Sequence, residues 1–186
     1  MGGVGAEFRE GRTGFEAVEK HTERVPPMRF TVLRRKNGGK RVGDIANVEI
    51  MRTGTWNGKR FGNADLDELA ANFTRVGFRP PVKLGHTDKP GDPAYGWVSS
   101  LRRVRDRLLA GFVSVPEELL TLIRAKRYNS VSIELFENLL RNGETFRLAF
   151  KAVAVLGAQI PAVSGLKPLS ESLGAFASGQ PHFRTS

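Results

Sequence analysis

The stretch Tyr128-Asn129-Ser130-Val131-Ser132-Ile133-Glu134-Leu135-Phe136 contains six consecutive residues, 130–135, that alternate between polar and apolar side chains. A period of two predicts a β-strand, because successive side chains of a strand point to opposite faces of the sheet. The three aliphatic residues of the run share one face, which we expect to lie against the core. The two serines, Glu134 and Phe136 share the other face. Two hydroxyl groups and a carboxylate therefore point together, toward solvent or a site.

An earlier run, Pro81-Val82-Lys83-Leu84-Gly85-His86, is typical of a short strand that ends at a glycine and a histidine. A loop rich in Asp, Pro and Gly follows, from Thr87 to Pro93. A serine hydroxyl is a weak nucleophile until a base takes its proton, and histidine suits that task near neutral pH. We therefore hypothesise that His86 and Ser132 meet in space as base and nucleophile. A third group usually orients the imidazole, and the candidates are Asp88, Asp92 and Glu134.

The same residues have an ordinary structural interpretation. A histidine in a loop is more often solvated or hydrogen-bonded than catalytic, and a serine in a strand is structural in most proteins. Asp88 and Asp92 lie where aspartate is common turn chemistry. Trp97 and Phe112 are expected in the core rather than on a platform that stacks nucleotide bases. On residue pattern alone, both interpretations stay open.

Composition limits the classes of partner. The 186 residues suffice for one domain with a sizeable core. Lys and Arg number 29 against 19 Asp and Glu, and the net charge of +10 favours acidic partners such as nucleic acid, an anionic surface or an acidic protein. The basic residues form several short, separate groups. Solvated faces are therefore favoured over a dedicated nucleic-acid stripe.

The residue types and apolar segments that the sequence lacks limit the metal sites and the cell compartment that we expect. The chain has no cysteine, which excludes disulfides and thiolate metal sites, and its three histidines are far apart. We expect no metal and no cofactor. No stretch is long and apolar enough to span a bilayer, and the N-terminus lacks the apolar segment of a signal peptide. We therefore expect a soluble, intracellular protein that does not bind membranes.

The remaining pattern predicts many strands and two helices. Asp65 and Glu68 are typical of a helix start, and the helix has an apolar stripe of Leu66, Leu69, Ala70, Phe73 and Val76. A second helix is predicted to begin at Ser114-Val115-Pro116-Glu117. Asn142-Gly143 predicts a hairpin that joins the alternating strand to an apolar return strand over residues 146–156.

This inventory favours an α+β domain, a mostly antiparallel β-barrel or sheet with two or more flanking helices. A P-loop and a Gly-x-Gly-x-x-Gly element are both missing from the sequence. We divide the chain into a flexible N-terminal arm (1–27), a β-barrel domain (28–166) and a flexible C-terminal tail (167–186). Phe30-Thr31-Val32-Leu33 is predicted to be the first strand.

Several segments, taken in order, carry a resemblance to a known family. They are Lys83-Leu84-Gly85-His86, Pro93-Ala94-Tyr95-Gly96-Trp97-Val98, Arg127-Tyr128, Ser130-Val131-Ser132-Ile133-Glu134-Leu135 and Lys151-Ala152-Val153-Ala154-Val155-Leu156-Gly157-Ala158-Gln159-Ile160-Pro161-Ala162. In this order they resemble the head maturation proteases of tailed bacteriophages, and most closely the Mu-like protease/scaffold proteins. The resemblance runs from about Val48 to Leu166. Each motif is loose by itself, and the specificity comes from their order.

The resemblance implies a fold like that of the herpesvirus assemblins, a β-barrel ringed by helices. It implies Ser132 as the nucleophile and His86 as the base, with Ser130 in reserve because it shares the face of Ser132. Related proteases place an acidic residue near the start of the last strand, where this chain has Lys151. The third catalytic group is therefore Asp88 or Glu134, or is absent.

The implied activity is peptide hydrolysis by a serine protease. His86 would take the proton of Ser132, and backbone amides with Arg147 or Lys151 would stabilise the oxyanion. The implied substrates are scaffold and capsid-protein segments inside an assembling prohead in the host cytoplasm. Assemblin-like proteases act as dimers, which implies a homodimer. The alternative is a non-catalytic structural or assembly protein of the phage particle that keeps this fold and binds capsid, portal or DNA.

Overall fold

A computed structural model describes residues 35–37, 40–89 and 91–173. Its strands and helices are β1 (Arg35–Asn37), β2 (Lys40–Arg52), β3 (Gly54–Trp56), β4 (Lys59–Phe61), α1 (Asn63–Arg75), β5 (Val82–Leu84), β6 (Trp97–Val104), β7 (Arg107–Pro116), α2 (Glu117–Arg124), β8 (Ser130–Arg141), β9 (Glu144–Leu156) and α3 (Leu169–Ser172). The predicted arm (1–27) and the strand predicted at 30–33 lie outside the described residues. None of the described helices is long and apolar enough to cross a membrane.

The strands form two larger sheets and one short hairpin. The first sheet has the order β1-β2-β7-β6 and is antiparallel throughout. The second has the order β5-β9-β8, in which β8 is antiparallel and β5 parallel to β9. The hairpin is β3-β4. The prediction of an α+β domain with mostly antiparallel strands is confirmed.

The segment that contains β5 joins the two larger sheets. On one edge, the amide of Val82 donates to the carbonyl of Gly96 at 2.9 Å, and the amide of Tyr95 donates back to Val82 at 2.7 Å. On the other edge, the amide of Val153 in β9 donates to the carbonyl of Pro81 at 3.1 Å. Neighbouring strands therefore follow the order β1-β2-β7-β6-β5-β9-β8. No ladder pairs β8 with β1 among the described residues, so the barrel form of the prediction is not what they build.

One main core lies on a single face of this sheet. Val131 of β8 is buried there, with Ile133 and Leu135 partly buried against the same cluster, which confirms the prediction for the aliphatic face of this strand. The helices α1 and α2 pack onto the core through Leu66, Leu69, Leu120 and Ile123. The predicted hairpin between β8 and β9 is also confirmed. Both of its turn residues, Asn142 and Gly143, have positive φ angles of 53° and 76°, as a tight two-residue turn requires.

Helix α1 covers part of the edge of β9. Strand β5 pairs only with Val153 to Val155, which leaves the backbone of Leu148 unpaired on that edge. The amide of Leu148 donates to Glu68 at 3.0 Å, and the side chain of Asn72 donates to the carbonyl of Leu148 at 2.8 Å. Two side chains of the helix thus replace the missing strand, because buried peptide groups need partners.

Helix starts differ from the prediction. The carboxylate of Asp65 accepts the amide of Gly62 at 2.8 Å, so the cap of α1 is Gly62, three residues before the predicted cap at Asp65. The carboxylate of Glu68 accepts the amide of Leu148 in β9 and does not cap the helix. Helix α2 follows Pro116, which is the residue before the helix and not part of its first turn.

The predicted tail also differs from the structure at its start. Leu169 and Leu173, in and after α3, are buried in the main core. Buried Glu49 holds the segment that leads to them, because its carboxylate accepts the amide of Lys167 at 3.0 Å and pairs with Arg107. Two leucines in a segment rich in Ser and Gly were too weak a signal for a packed helix. Residues 174–186 lie outside the described residues.

Asn72→Ala is expected to destabilise the fold by about 1–3 kcal/mol, because it leaves the buried carbonyl of Leu148 without a donor. Urea unfolding followed by circular dichroism measures the difference. Asn63→Ala is the matched control, since it makes the same change at an exposed position of the same helix. The control should stay within about 0.5 kcal/mol of wild type. Equal effects of the two changes would contradict this account of α1.

Candidate active site

The sheet face opposite the core carries most of the predicted site residues. Because side chains alternate along a strand, Ser132 and Glu134 point away from the core that holds Val131. Lys83 of β5 and Ser132 of β8 both lie opposite Ala154 of β9, which separates them by two strand spacings or about 10 Å of backbone. Alanine ends at Cβ, so side chains from the outer strands can meet across β9.

Four charged side chains meet there in a closed ring of alternating sign, which we call the charge ring: Lys83, Asp88, Lys151 and Glu134. The Nζ of Lys83 lies 2.9 Å from Asp88 and 3.0 Å from Glu134. The Nζ of Lys151 lies 3.2 Å from Asp88 and 3.6 Å from Glu134. Each charge therefore has an opposite charge on both sides.

The ring of His86 is attached to the charge ring through Glu134. The chain turns away from β9 at Gly85, whose φ is 66° and whose amide donates to the carbonyl of Val155 at 3.0 Å. This turn brings His86 Nδ1 to 3.0 Å from Glu134 Oε1. Since an ionised carboxylate only accepts, Nδ1 carries the proton and donates it. Nε2 has no hydrogen-bond partner among the described residues.

Two members of the charge ring have shifted pKa values. Hydrogen bonds from Lys83 and then Lys151 lower the pKa of Asp88 below its ordinary 3.8. Burial lowers the pKa of Lys83, but hydrogen bonds to Asp88 and Glu134 outweigh it and raise the pKa above 10.5. The stabilising contribution of Asp88 is therefore present above pH 3.8 and lost as the pH falls through its folded pKa. That of Lys83 is present below pH 10.5 and lost as the pH rises through its folded pKa.

The structure brings some of the predicted site residues together. His86, Glu134, Asp88 and Lys151 are in direct contact through the charge ring. Ser132 shares their sheet face, two residues from Glu134, but only 3% of it is exposed. No hydrogen bond joins Ser132 to His86 in the described part of the chain.

Ser130 and Arg147 lie elsewhere. Ser130 lines a groove of about 370 Å³ between β8 and the segment over 160–168, and this groove shares no lining residue with the cleft beside Asp88. Arg147 pairs with Asp65, at 2.6 Å, and with Glu68, both on α1. Its guanidinium therefore fastens the helix to β9, and the structure shows it in no contact with the charge ring.

A cleft of about 350 Å³ opens beside the charge ring. Lys83, Asp88 and Lys151 form one side, and Asp92 also lines it. Its apolar wall includes Trp97, which is 40% exposed, so the prediction that this tryptophan lies in the core is wrong. Phe112, at 1% exposure, does lie in the core as predicted. Trp97 faces outward because it lies opposite Pro81 at the junction of the sheets, on the side away from the core.

Sequence reasoning assigned no role to Lys83, although it is the charge ring's most central cation. The available signal was a lysine inside an otherwise apolar strand, where a buried ammonium needs carboxylate partners.

Within the described residues, no three His, Asp or Glu side chains converge as metal ligands would. No protein-family model matches the chain, and no curated protein is found to be similar to it.

Replacing the lysines should move the titration of Asp88. We expect its side-chain carboxyl to titrate below pH 3.8 in the wild type, measured by carbon-detected NMR. Lys83→Met should move the midpoint toward 3.8, and Lys151→Met should do so by less, because Lys83 is the closer and stronger donor. Lys89→Met, in the same cleft, is the control and should change it least. A wild-type midpoint at or above 3.8 would refute the charge ring.

Proposed function

We propose that this protein is a serine endopeptidase in which Ser132 is the nucleophile, His86 the general base and Glu134 the group that orients the base. One observation carries the proposal: Glu134 Oε1 lies 3.0 Å from His86 Nδ1, and Glu134 stands two residues from Ser132 on the same sheet face. A carboxylate on Nδ1 fixes the tautomer whose Nε2 can accept a proton.

The proposed chemistry follows from this tautomer. Nε2 of His86 takes the hydroxyl proton of Ser132 as the oxygen attacks a peptide carbonyl, and the imidazolium returns that proton to the leaving amine. Glu134 stabilises the transient imidazolium. In the second half, Nε2 of His86 takes a proton from water as the water oxygen attacks the acyl carbonyl, and returns a proton to the Ser132 oxygen as the ester bond breaks. Lys151 would support the oxyanion rather than Arg147, because Lys151 belongs to the charge ring and Arg147 is held by α1.

The contacts of the charge ring argue for His86 rather than a lysine as the base. A lysine that activates serine must be neutral, which requires a lowered pKa. The pKa of Lys83 is raised, because two carboxylates outweigh its burial. Lys83 therefore stays protonated, and its role in the proposal is to hold Glu134 in place at 3.0 Å. Of the open choices for the third group, the contacts favour Glu134 over Asp88, which reaches only the lysines.

The biological setting of the proposal rests on the resemblance to phage head maturation proteases. We propose that the substrates are scaffold and capsid-protein segments, cut inside a prohead in the host cytoplasm, and that the fold is of the assemblin type. The α+β architecture with mostly antiparallel strands is compatible with that fold. The net charge of +10 would favour acidic protein segments over basic ones.

A second candidate function is supported by the low exposure of Ser132 and by its lack of a hydrogen bond to His86 among the described residues. The residue is 3% exposed and makes no described hydrogen bond to His86. A non-catalytic assembly protein of the phage particle, which binds capsid, portal or DNA, requires no accessible serine. The charge ring would then serve only to join β5, β8 and β9.

Labelling by a fluorophosphonate separates the two functions without knowledge of the substrate. We expect the wild type to be labelled at Ser132, as located by mass spectrometry of peptides, and Ser132→Ala not to be labelled. Ser130→Ala is the matched control and should be labelled like wild type. No labelling of the folded wild type, together with no cleavage of co-expressed head proteins, would favour the assembly function.

Glu134→Gln should slow Ser132-dependent labelling or cleavage by about 10²–10⁴-fold, because the amide no longer fixes the imidazole tautomer or stabilises its charged form. Asp88→Asn should change the rate far less, since Asp88 does not touch the ring of His86. Circular dichroism checks that both variants fold. Equal losses in the two variants would contradict the orienting role of Glu134.

A further inference from the structure

The most exposed member of the charge ring is a carboxylate. The side chain of Asp88 is 70% exposed, whereas that of Glu134 is 12% exposed and belongs to a paired strand. Asp88 belongs to no strand or helix, and its oxygens contact only the two lysines. Lys83 and Lys151 would keep one partly buried carboxylate partner, Glu134, if Asp88 moved away.

The position that Asp88 occupies is therefore an anion site made of two ammonium groups. The Nζ atoms of Lys83 and Lys151 donate to it at 2.9 and 3.2 Å. These are charge-assisted hydrogen bonds, which are stronger than neutral ones. A carboxylate from another molecule has the same shape and charge, so it can make the same contacts when Asp88 swings into solvent.

The cleft beside this position suits a peptide. It holds about 350 Å³, and its apolar wall consists of Pro81, Pro93, Ala94, Trp97 and Ala152. Exposed aromatic and proline surface binds peptide segments with little loss of conformational freedom on the protein side. Lys89 adds a further positive charge to the lining.

We propose that the cleft is a substrate subsite that binds the carboxylate of a peptide segment between Lys83 and Lys151, with Asp88 as a built-in competitor that the ligand displaces. The designation of the cleft as a substrate subsite rests on the proposed function. The proposal goes further by naming the substrate class, acidic peptide segments bound beside the catalytic residues. The net charge of +10 adds long-range attraction for such segments.

Peptide binding tests the subsite without any catalysis. The probes are three heptapeptides of alanine: one capped at both ends with a central Glu, one capped with a central Gln, and one with the Gln and a free C-terminal carboxylate. They are titrated into the full-length Ser132→Ala protein and followed by amide chemical shifts in NMR. We expect the Glu peptide to bind at least about fivefold more tightly than the capped Gln peptide. The largest shifts should fall at Lys83, Asp88, Trp97 and Lys151.

The third peptide distinguishes a side-chain carboxylate from a chain terminus. Tighter binding of the Glu peptide supports a subsite for acidic side chains, and tighter binding of the free C-terminus supports one for peptide ends. Only the first outcome supports the proposal, because the second would keep the anion site but overturn acidic segments as its substrate class. Equal affinity of all three peptides, or shifts that avoid these four residues, would overturn the anion site.

Two variants test Asp88 as the competitor. Asp88→Asn should raise the affinity for the carboxylate peptide about threefold or more, because both ammonium groups lose their exposed partner. Asp92→Asn removes the same charge from the same cleft at a side chain that contacts neither lysine, and should change the affinity less than about twofold. Equal effects of the two variants would overturn the competitor role.

Failure of the subsite and failure of the protease are distinguishable. If the peptides bind equally but Ser132 is labelled by the fluorophosphonate, the protease stands and the subsite falls. If the acidic peptide binds selectively and Ser132 stays unlabelled, the cleft is an acidic-peptide binding site on a non-catalytic protein, and its designation as a substrate subsite falls.

Discussion

The segment from Pro80 to Gly85 is hydrogen-bonded along both edges, and the rest of the structure depends on that constraint. On one side it pairs with the residues that begin β6, and on the other with β9. Without it the two larger sheets would share no ladder and the core would have an open side. The same pairing aims Lys83 outward and Val82 inward, so one short strand contributes both to the core and to the candidate site.

A partly buried carboxylate beside a histidine needs a compensating charge, and the charge ring supplies it. Glu134 is 12% exposed, and its cost of burial is offset by Lys83 and Lys151 rather than by His86 alone. His86 Nδ1 contacts the same carboxylate at 3.0 Å. Alanines at 152 and 154 make this geometry possible, because larger side chains on β9 would separate the strands' charged groups.

The two ends of the second sheet are held by different segments of the chain. Near Leu148, α1 supplies side-chain partners to the edge of β9, and Arg147 strengthens that attachment. Near Asn129, the segment that leads to α3 lies against β8, and the amide of Ser170 donates to the Asn129 side chain at 3.0 Å. The charge ring lies between these two anchored regions, on strands fixed from both directions.

Local sequence pattern was sufficient to predict several of the strands, turns and helices of this protein. The alternation over 130–135, the Asn142-Gly143 turn and the apolar stripe of α1 each depend on neighbours in sequence, so the strand, the hairpin and the helix could be predicted. Ser132, Glu134 and His86 could be named as candidates because alternation places the first two on one face. The third catalytic candidate stayed open between Asp88 and Glu134. Sequence spacing does not say which carboxylate reaches a ring 48 residues away.

Tertiary structure alone decided the rest. The parallel pairing of β5 with β9 brings Lys83 level with Ser132, and it joins strands that are far apart in the chain. The bridge between Pro81 and Trp97 places the tryptophan on the outward face, and the ion pair with Asp65 holds Arg147 at α1 rather than at the site. Leu169 and Leu173 bury α3 against the core, and the amide of Lys167 donates to Glu49 in the segment before that helix. Such outcomes depend on contacts between distant segments, and no local period records which segments meet.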